Sequence, residues 1–139
     1  MLIENKKIPE LIRNSCEIVD RLNKQFGEVT KDEEWKEEYG YWIKENEKYG
    51  LWFGMHFGIW NTFGFPLCFS INQKESDDFS KIKLLLDSQG YKSHLYKYAD
   101  NYHELVVPVR KTHFKNPKVE NEIGEIIREI IEILEKNIT

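Results

Sequence analysis

Cysteine is scarce in this chain, with two in 139 residues, and so are proline, with four, and alanine, with Ala99 standing alone. Two cysteines make no disulfide framework, which excludes the small secreted scaffolds held together by bridges. Cys16 falls in a helical pattern and Cys68 in a strand pattern, each beside apolar neighbours, so both read as free buried thiols of a cytosolic protein. No apolar run approaches the ~20 residues that a bilayer span needs, which excludes a transmembrane helix. The opening Met1–Lys7 lacks the apolar stretch of a secretion signal.

The signatures of several chemistries are also missing. There is no G-x-S-x-G elbow for a serine nucleophile, and no C-x-x-C, H-x-x-x-H or H-E-x-x-H spacing for a metal. His56, His94, His103 and His113 are isolated from one another. A phosphate cradle needs a glycine-rich loop feeding a helix, whereas Gly54, Gly58 and Gly64 read as strand or hairpin positions. No metal and no cofactor is therefore expected.

What is present suffices for one folded domain: 40% hydrophobic, 14% aromatic and 32% charged residues. The net charge of -4 is unevenly placed. Residues 28–48 hold eight acids and four bases, and residues 119–139 hold six acids and two bases. Residues 81–118 reverse the sign, with eight bases and three acids. That asymmetry can steer an anion or an oppositely charged protein, but it falls short of the basic excess of duplex-DNA binders. No duplex nucleic acid and no membrane is expected as a partner.

Periodicity supplies the elements. Residues 8–26 carry an apolar stripe at helical spacing, with Pro9 in the first turn and Gly27 past the end. Residues 39–45, 49–60 and 64–72 read as three antiparallel strands, the last two joined through Asn61–Gly64. Their odd positions, Leu51, Phe53, Met55, Phe57 and Ile59, then Phe65, Leu67, Phe69 and Ile71, are all apolar and should meet the core. Residues 77–88 read as a helix capped by Ser76 or Asp77. Residues 91–98 and 103–110 form a hairpin in which Tyr98 faces His103 and Lys97 faces Glu104. That register places His94, Tyr96 and Tyr98 on one face with Leu105, Val107 and Val109, and puts Pro108 at an edge or a bulge. Residues 117–137 form a last helix, capped by Asn116 with Pro117 in its first turn. The expected architecture is a single α+β domain with a mainly antiparallel five-stranded sheet and helices on one face, in the order α-β-β-β-α-β-β-α.

The even positions of the second strand, Trp52, Gly54, His56, Gly58 and Trp60, describe a face that is shallow in the middle and aromatic at its ends. Trp52, His56 and Trp60 could stack a planar ligand there, and Arg110 and Lys111 at the end of the last strand could meet its charge. A small anion such as a nucleotide is the ligand this predicts. The same rings could instead cover the sheet against Trp35, Tyr41 and Trp42, or serve a protein partner or a second copy of the chain. Pairing Met55 with Phe69 would bring His56 opposite Cys68, which opens a third reading as a Cys/His enzyme.

The run Trp52-Phe53-Gly54-Met55-His56-Phe57-Gly58-Ile59-Trp60 precedes an apolar strand, a helix, a hairpin with Glu104-Leu105-Val106-Val107-Pro108-Val109, and a Glu/Ile-rich helix. This order resembles the C-terminal region of bacterial PD-(D/E)XK nuclease-superfamily proteins linked to restriction and phage defence, over two thirds of the chain. The nuclease acids do not carry over: Asn46-Glu47-Lys48 has Asn where an acid is needed, and Gln73-Lys74-Glu75 lacks the triplet. The resemblance thus implies a non-catalytic accessory domain that acts by binding.

Overall fold

The computed structural model describes residues 8–26, 38–76, 78–111, 114 and 116–138. Helix α1 spans Ile8–Phe26, followed by strands β1 (Glu38–Glu45) and β2 (Tyr49–His56), helix α2 (Phe57–Phe63) and strand β3 (Leu67–Gln73). Helix α3 (Ser80–Ser88), strands β4 (His94–Ala99) and β5 (Tyr102–Pro108) and helix α4 (Pro117–Asn137) complete the order. The five strands form one antiparallel sheet in the order β1-β2-β3-β5-β4. The architecture is the expected α+β domain, with one helix more than the sequence pattern predicts.

One face of the sheet is closed by the long helices. Phe53, Phe69, Leu51, Leu67, Leu105 and Val107 meet Ile18 and Leu22 of α1, Ile82 and Leu86 of α3, and Ile123, Ile127, Ile130 and Leu134 of α4 in one continuous core. The Phe53 and Phe69 rings lie 4.9 Å apart at its centre. Each helix presents only the apolar stripe visible in its sequence, so one layer of helices satisfies all of them. Asn116 caps α4 by accepting from the Lys118 N–H at 2.9 Å. Helix α3 starts later than expected, at Ser80, where Asp78 accepts from the Ser80 N–H at 3.0 Å; Asp77 lies outside the described residues. So do Gly27, Trp35, His113 and Lys115.

Three departures from the sequence reading decide what the other face looks like. The first is α2. Alternation continues through Gly58-Ile59-Trp60, yet the strand stops at His56. His56 Nδ1 accepts from the Ile59 N–H at 3.1 Å, the geometry of a helix N-cap, and Gly64 closes the turn at φ +86° with its N–H on the Trp60 carbonyl. The helical turn reverses the expected faces. Ile59 is buried against the second face of the sheet, Trp60 in the helix-covered core, and Phe57, expected in the core, is 39% exposed.

The second departure is the β2/β3 register. Phe53, not Met55, lies opposite Phe69, and Gly54 lies opposite Cys68. A shift of two residues leaves every side chain on its own face, so Leu51, Phe53, Met55, Leu67, Phe69 and Ile71 meet the core as expected while the His56/Cys68 pairing is lost. The third is a bulge in β4 at Tyr98. Ala99 pairs with Tyr102 across the turn as the hairpin pattern predicts, but Lys97 pairs with His103 and Tyr96 with Glu104. One extra residue exchanges the faces beyond it. Leu105 and Val107 keep the core, while His94, Tyr96 and Glu104 share the opposite face. Pro108 lies in an interior strand, not an edge, at its last position. Val109 N–H donates to Leu67 on β3, so the Pro108 nitrogen points to the β4 side, where pairing has stopped at His94 opposite Val106.

Candidate functional site

Among the described residues, no layer of long helices covers the second face. Its glycines are filled by the chain's own indoles. A Cβ on Gly40 would stand 2.3 Å from the Trp52 ring, and one on Gly54 2.8 Å from the same ring, so Trp52 lies flat across both. A Cβ on Gly50 would meet the Trp42 ring and Asn72 Oδ1, each at 2.8 Å. The shallow middle of this face is thus a bed for two tryptophans that face each other across β1 and β2. Trp52 packs with Ile59, Cys68 and Val106, and Trp42, Phe63 and Tyr96 border that cluster.

Beside the indoles runs a groove lined by Glu38, Trp42, Trp52, Ser70, Tyr98 and Glu104, enclosing about 200 Å³. Tyr98, the bulged residue, leans back across the sheet: its ring lies 5.6 Å from that of His56 on β2 and 4.9 Å from that of Tyr96. Its hydroxyl is 3.1 Å from Ser70 Oγ. Ser70 gives its single hydrogen to Glu104 at 2.5 Å, so Tyr98 is the donor to Ser70, and the three form a relay into the carboxylate. Tyr102 donates to the other oxygen of Glu104. Burial pushes the Tyr98 hydroxyl far above its ordinary range, reinforced by Cys68, Glu104 and Glu38 against the opposing Ser70 bond. Burial, then the bond to Glu104, pushes Tyr102 up to about 12. Both phenols are donors throughout the neutral range.

Glu104 is 7% exposed. Its ligands are two hydroxyls, and among the described residues no cation pairs with it. Lys97, expected opposite Glu104, sits across from His103 and reaches Asp100 at 3.6 Å instead. Asn72, also 7% exposed, follows Ser70 on the same face of β3 and keeps Oδ1 without a hydrogen-bond partner.

Of the residues the sequence nominated, only Trp52 lines the groove. His56 caps α2 and supports the Tyr98 ring from the side. Trp60 belongs to the opposite core, 3% exposed. Arg110 rests over the Phe65 ring at 5.2 Å, and Lys111 is paired with Glu122 of α4. The structure therefore does not bring Trp52, His56 and Trp60 together as one stacking platform, nor Arg110 and Lys111 to the aromatic face. Cys68 lies opposite Gly54, and its thiol is pushed well above its ordinary pKa by burial and then by the charges of Glu104 and Glu38. A thiol so held is a poor nucleophile. Sequence reasoning missed Glu104, Ser70, Tyr98, Trp42 and Glu38. One signal was available: in Glu104-Leu105-Val106-Val107 the acid alternates with two core residues, so it belongs to the face that carries Val106.

No group of three or more His, Cys, Asp or Glu residues among the described residues is placed to hold a metal ion. No helix among them is long and apolar enough to cross a membrane. No family model, no curated protein and no solved structure matches the chain.

Proposed function

We propose that this protein is a non-enzymatic binding protein that takes a small ligand with a flat face into the groove between Trp42, Trp52 and Tyr98. The observation that carries this reading is the second face of the sheet. Two indoles lie flat on it and a hydrogen-bonded polar cluster backs them, and together they enclose an open groove instead of a packed seam. Small-molecule sites combine apolar walls with a few convergent polar groups in this way. The accessory role in restriction or phage defence that the resemblance to PD-(D/E)XK nuclease-superfamily proteins implies belongs to the same reading, as a role exercised by binding.

The test is a tryptophan-fluorescence and thermal-shift titration with nucleotides, amines, amino acids and sugars, run on the natural protein and on Trp42→Ala. At least one ligand should raise the melting temperature and quench fluorescence, and Trp42→Ala should abolish both. A panel without any response, or a response indifferent to Trp42→Ala, would reject the groove as the site.

A second reading, a protein-interaction module, rests on a different surface. Strand β4 is an edge of the sheet, and Leu95 on it is 53% exposed. An edge strand with an apolar side chain can pair with another chain. Leu95→Lys should then abolish any concentration-dependent increase in mass seen by sedimentation.

A further inference from the structure

We infer that the ligand of the groove is a small organic cation carrying N–H donors, of the guanidinium or alkylammonium class, and that Glu104 is its counter-ion. This rests on the binding reading above and names the chemistry of its ligand. It also reverses the sign of charge that the basic segment 81–118 suggests.

A carboxylate buried as deeply as that of Glu104 is costly unless a positive charge answers it. Two hydroxyls satisfy part of its hydrogen-bonding capacity, but neither carries charge, and among the described residues no Lys, Arg or His pairs with it. Lys97, the cation closest to it in the expected register, is held away by the Tyr98 bulge. The carboxylate lines the groove, together with the acid Glu38.

The walls agree with the charge. Indole faces attract cations through the negative face of the ring, and Trp is the strongest side chain for this. Trp42 and Trp52 both line the groove, and Tyr98 adds a third ring. An N–H-bearing cation offers charge to Glu104 and flat or compact apolar bulk to the indoles. An anion would meet two carboxylates and no base of the groove lining.

The experiment compares isosteres by calorimetry and tryptophan fluorescence. Butylguanidinium is set against butylurea, which has the same planar shape without charge, and against butyrate. A capped Gly-Arg-Gly peptide separates a free cation from an arginine side chain as the natural source. Butylguanidinium should bind roughly tenfold or more tightly than butylurea, with butyrate silent. Glu104→Gln, which keeps the shape and retains the Ser70 contact, with the Tyr102 hydroxyl turning to accept from the amide N–H, should erase that preference while the protein stays folded. If butylurea, butyrate or a nucleotide binds at least as well, or Glu104→Gln leaves the preference intact, the cation assignment is wrong and the binding reading survives. If no probe binds at all, the binding reading fails with it.

Discussion

The two faces of this sheet are buried by opposite means. The helix-covered face is closed by other elements: Phe53, Phe69, Leu51 and Leu105 stand upright into stripes from α1, α3 and α4. Among the described residues the second face is closed largely by itself, with Trp42 and Trp52 lying down over Gly50, Gly40 and Gly54, and with α2 contributing Ile59 and Phe63 at one end. Upright side chains fill a layer and leave no groove, whereas recumbent ones leave a floor. The difference teaches where a ligand can enter. Glycines in a strand need not signal space for a visitor, since here the space is taken by indoles, and it is the margin between those indoles and the next strand that stays open.

Substitutions on the two faces should separate this contrast. Phe53→Ala removes a fully buried ring from the upright layer and should cost about 3–5 kcal/mol in urea denaturation, the largest effect in the molecule. Gly54→Val should cost about 1–3 kcal/mol, because its Cβ would stand 2.4 Å from the Tyr39 carbonyl and 2.8 Å from the Trp52 ring, and it should redshift tryptophan emission as that ring lifts. A Gly54→Val protein of unchanged stability and spectrum would show that Trp52 does not depend on the glycine floor.

Ser70→Ala should be destabilising by about 1–3 kcal/mol, since it takes a donor from the buried Glu104 carboxylate, whereas the double change Ser70→Ala with Glu104→Gln should recover part of the loss. Thermal melts of the four proteins in that cycle measure the coupling directly.

Smaller effects lie on the helix-covered side, at the junction of α3 and β4. Burial alone would raise the Asp87 carboxyl, but hydrogen bonds from Lys83 and from the Ser93 N–H and hydroxyl outweigh it and hold the pKa at about 2. A depressed carboxyl stabilises the fold above its unfolded pKa of about 3.9, and that contribution is lost as pH falls toward 2. Asp87→Asn should therefore lower the melting temperature at pH 7, and the gap between the two proteins should narrow between pH 4 and pH 2. Least of all, Leu84→Ser, on the outer side of α3 at 71% exposure, should change stability by less than about 0.5 kcal/mol.

Much of the fold is legible in the strand alternation and helix stripes. The core residues Leu51, Phe53, Met55, Leu67, Phe69 and Ile71 all follow from a period of two, and the stripe of α4 from a period of 3.6. The candidate site is far less legible. Trp52 is visible as a large ring between Gly50 and Gly54 on one face of its strand. Trp60 misled because alternation cannot distinguish a strand that continues from one that ends in a capped turn. The face of Glu104 follows from its alternation with Leu105 and Val107, but its neighbours do not: the one-residue bulge at Tyr98 puts Tyr96 opposite it in place of Lys97, and a bulge leaves no mark in a polar edge strand such as Lys97-Tyr98-Ala99.

The order of residues was enough to mark the upright layer of β2 and β3 and the helix stripes that meet it, because those positions follow a local period of two or of 3.6. Packing settled who stands beside whom: the two-residue shift that parts His56 from Cys68, the cap that sends Trp60 into the core and leaves Phe57 exposed, and the bulge that moves Lys97 away from Glu104. The physical reason is that register and bulges are settled by the fit of whole strands against their neighbours, across separations in the chain that no local pattern spans.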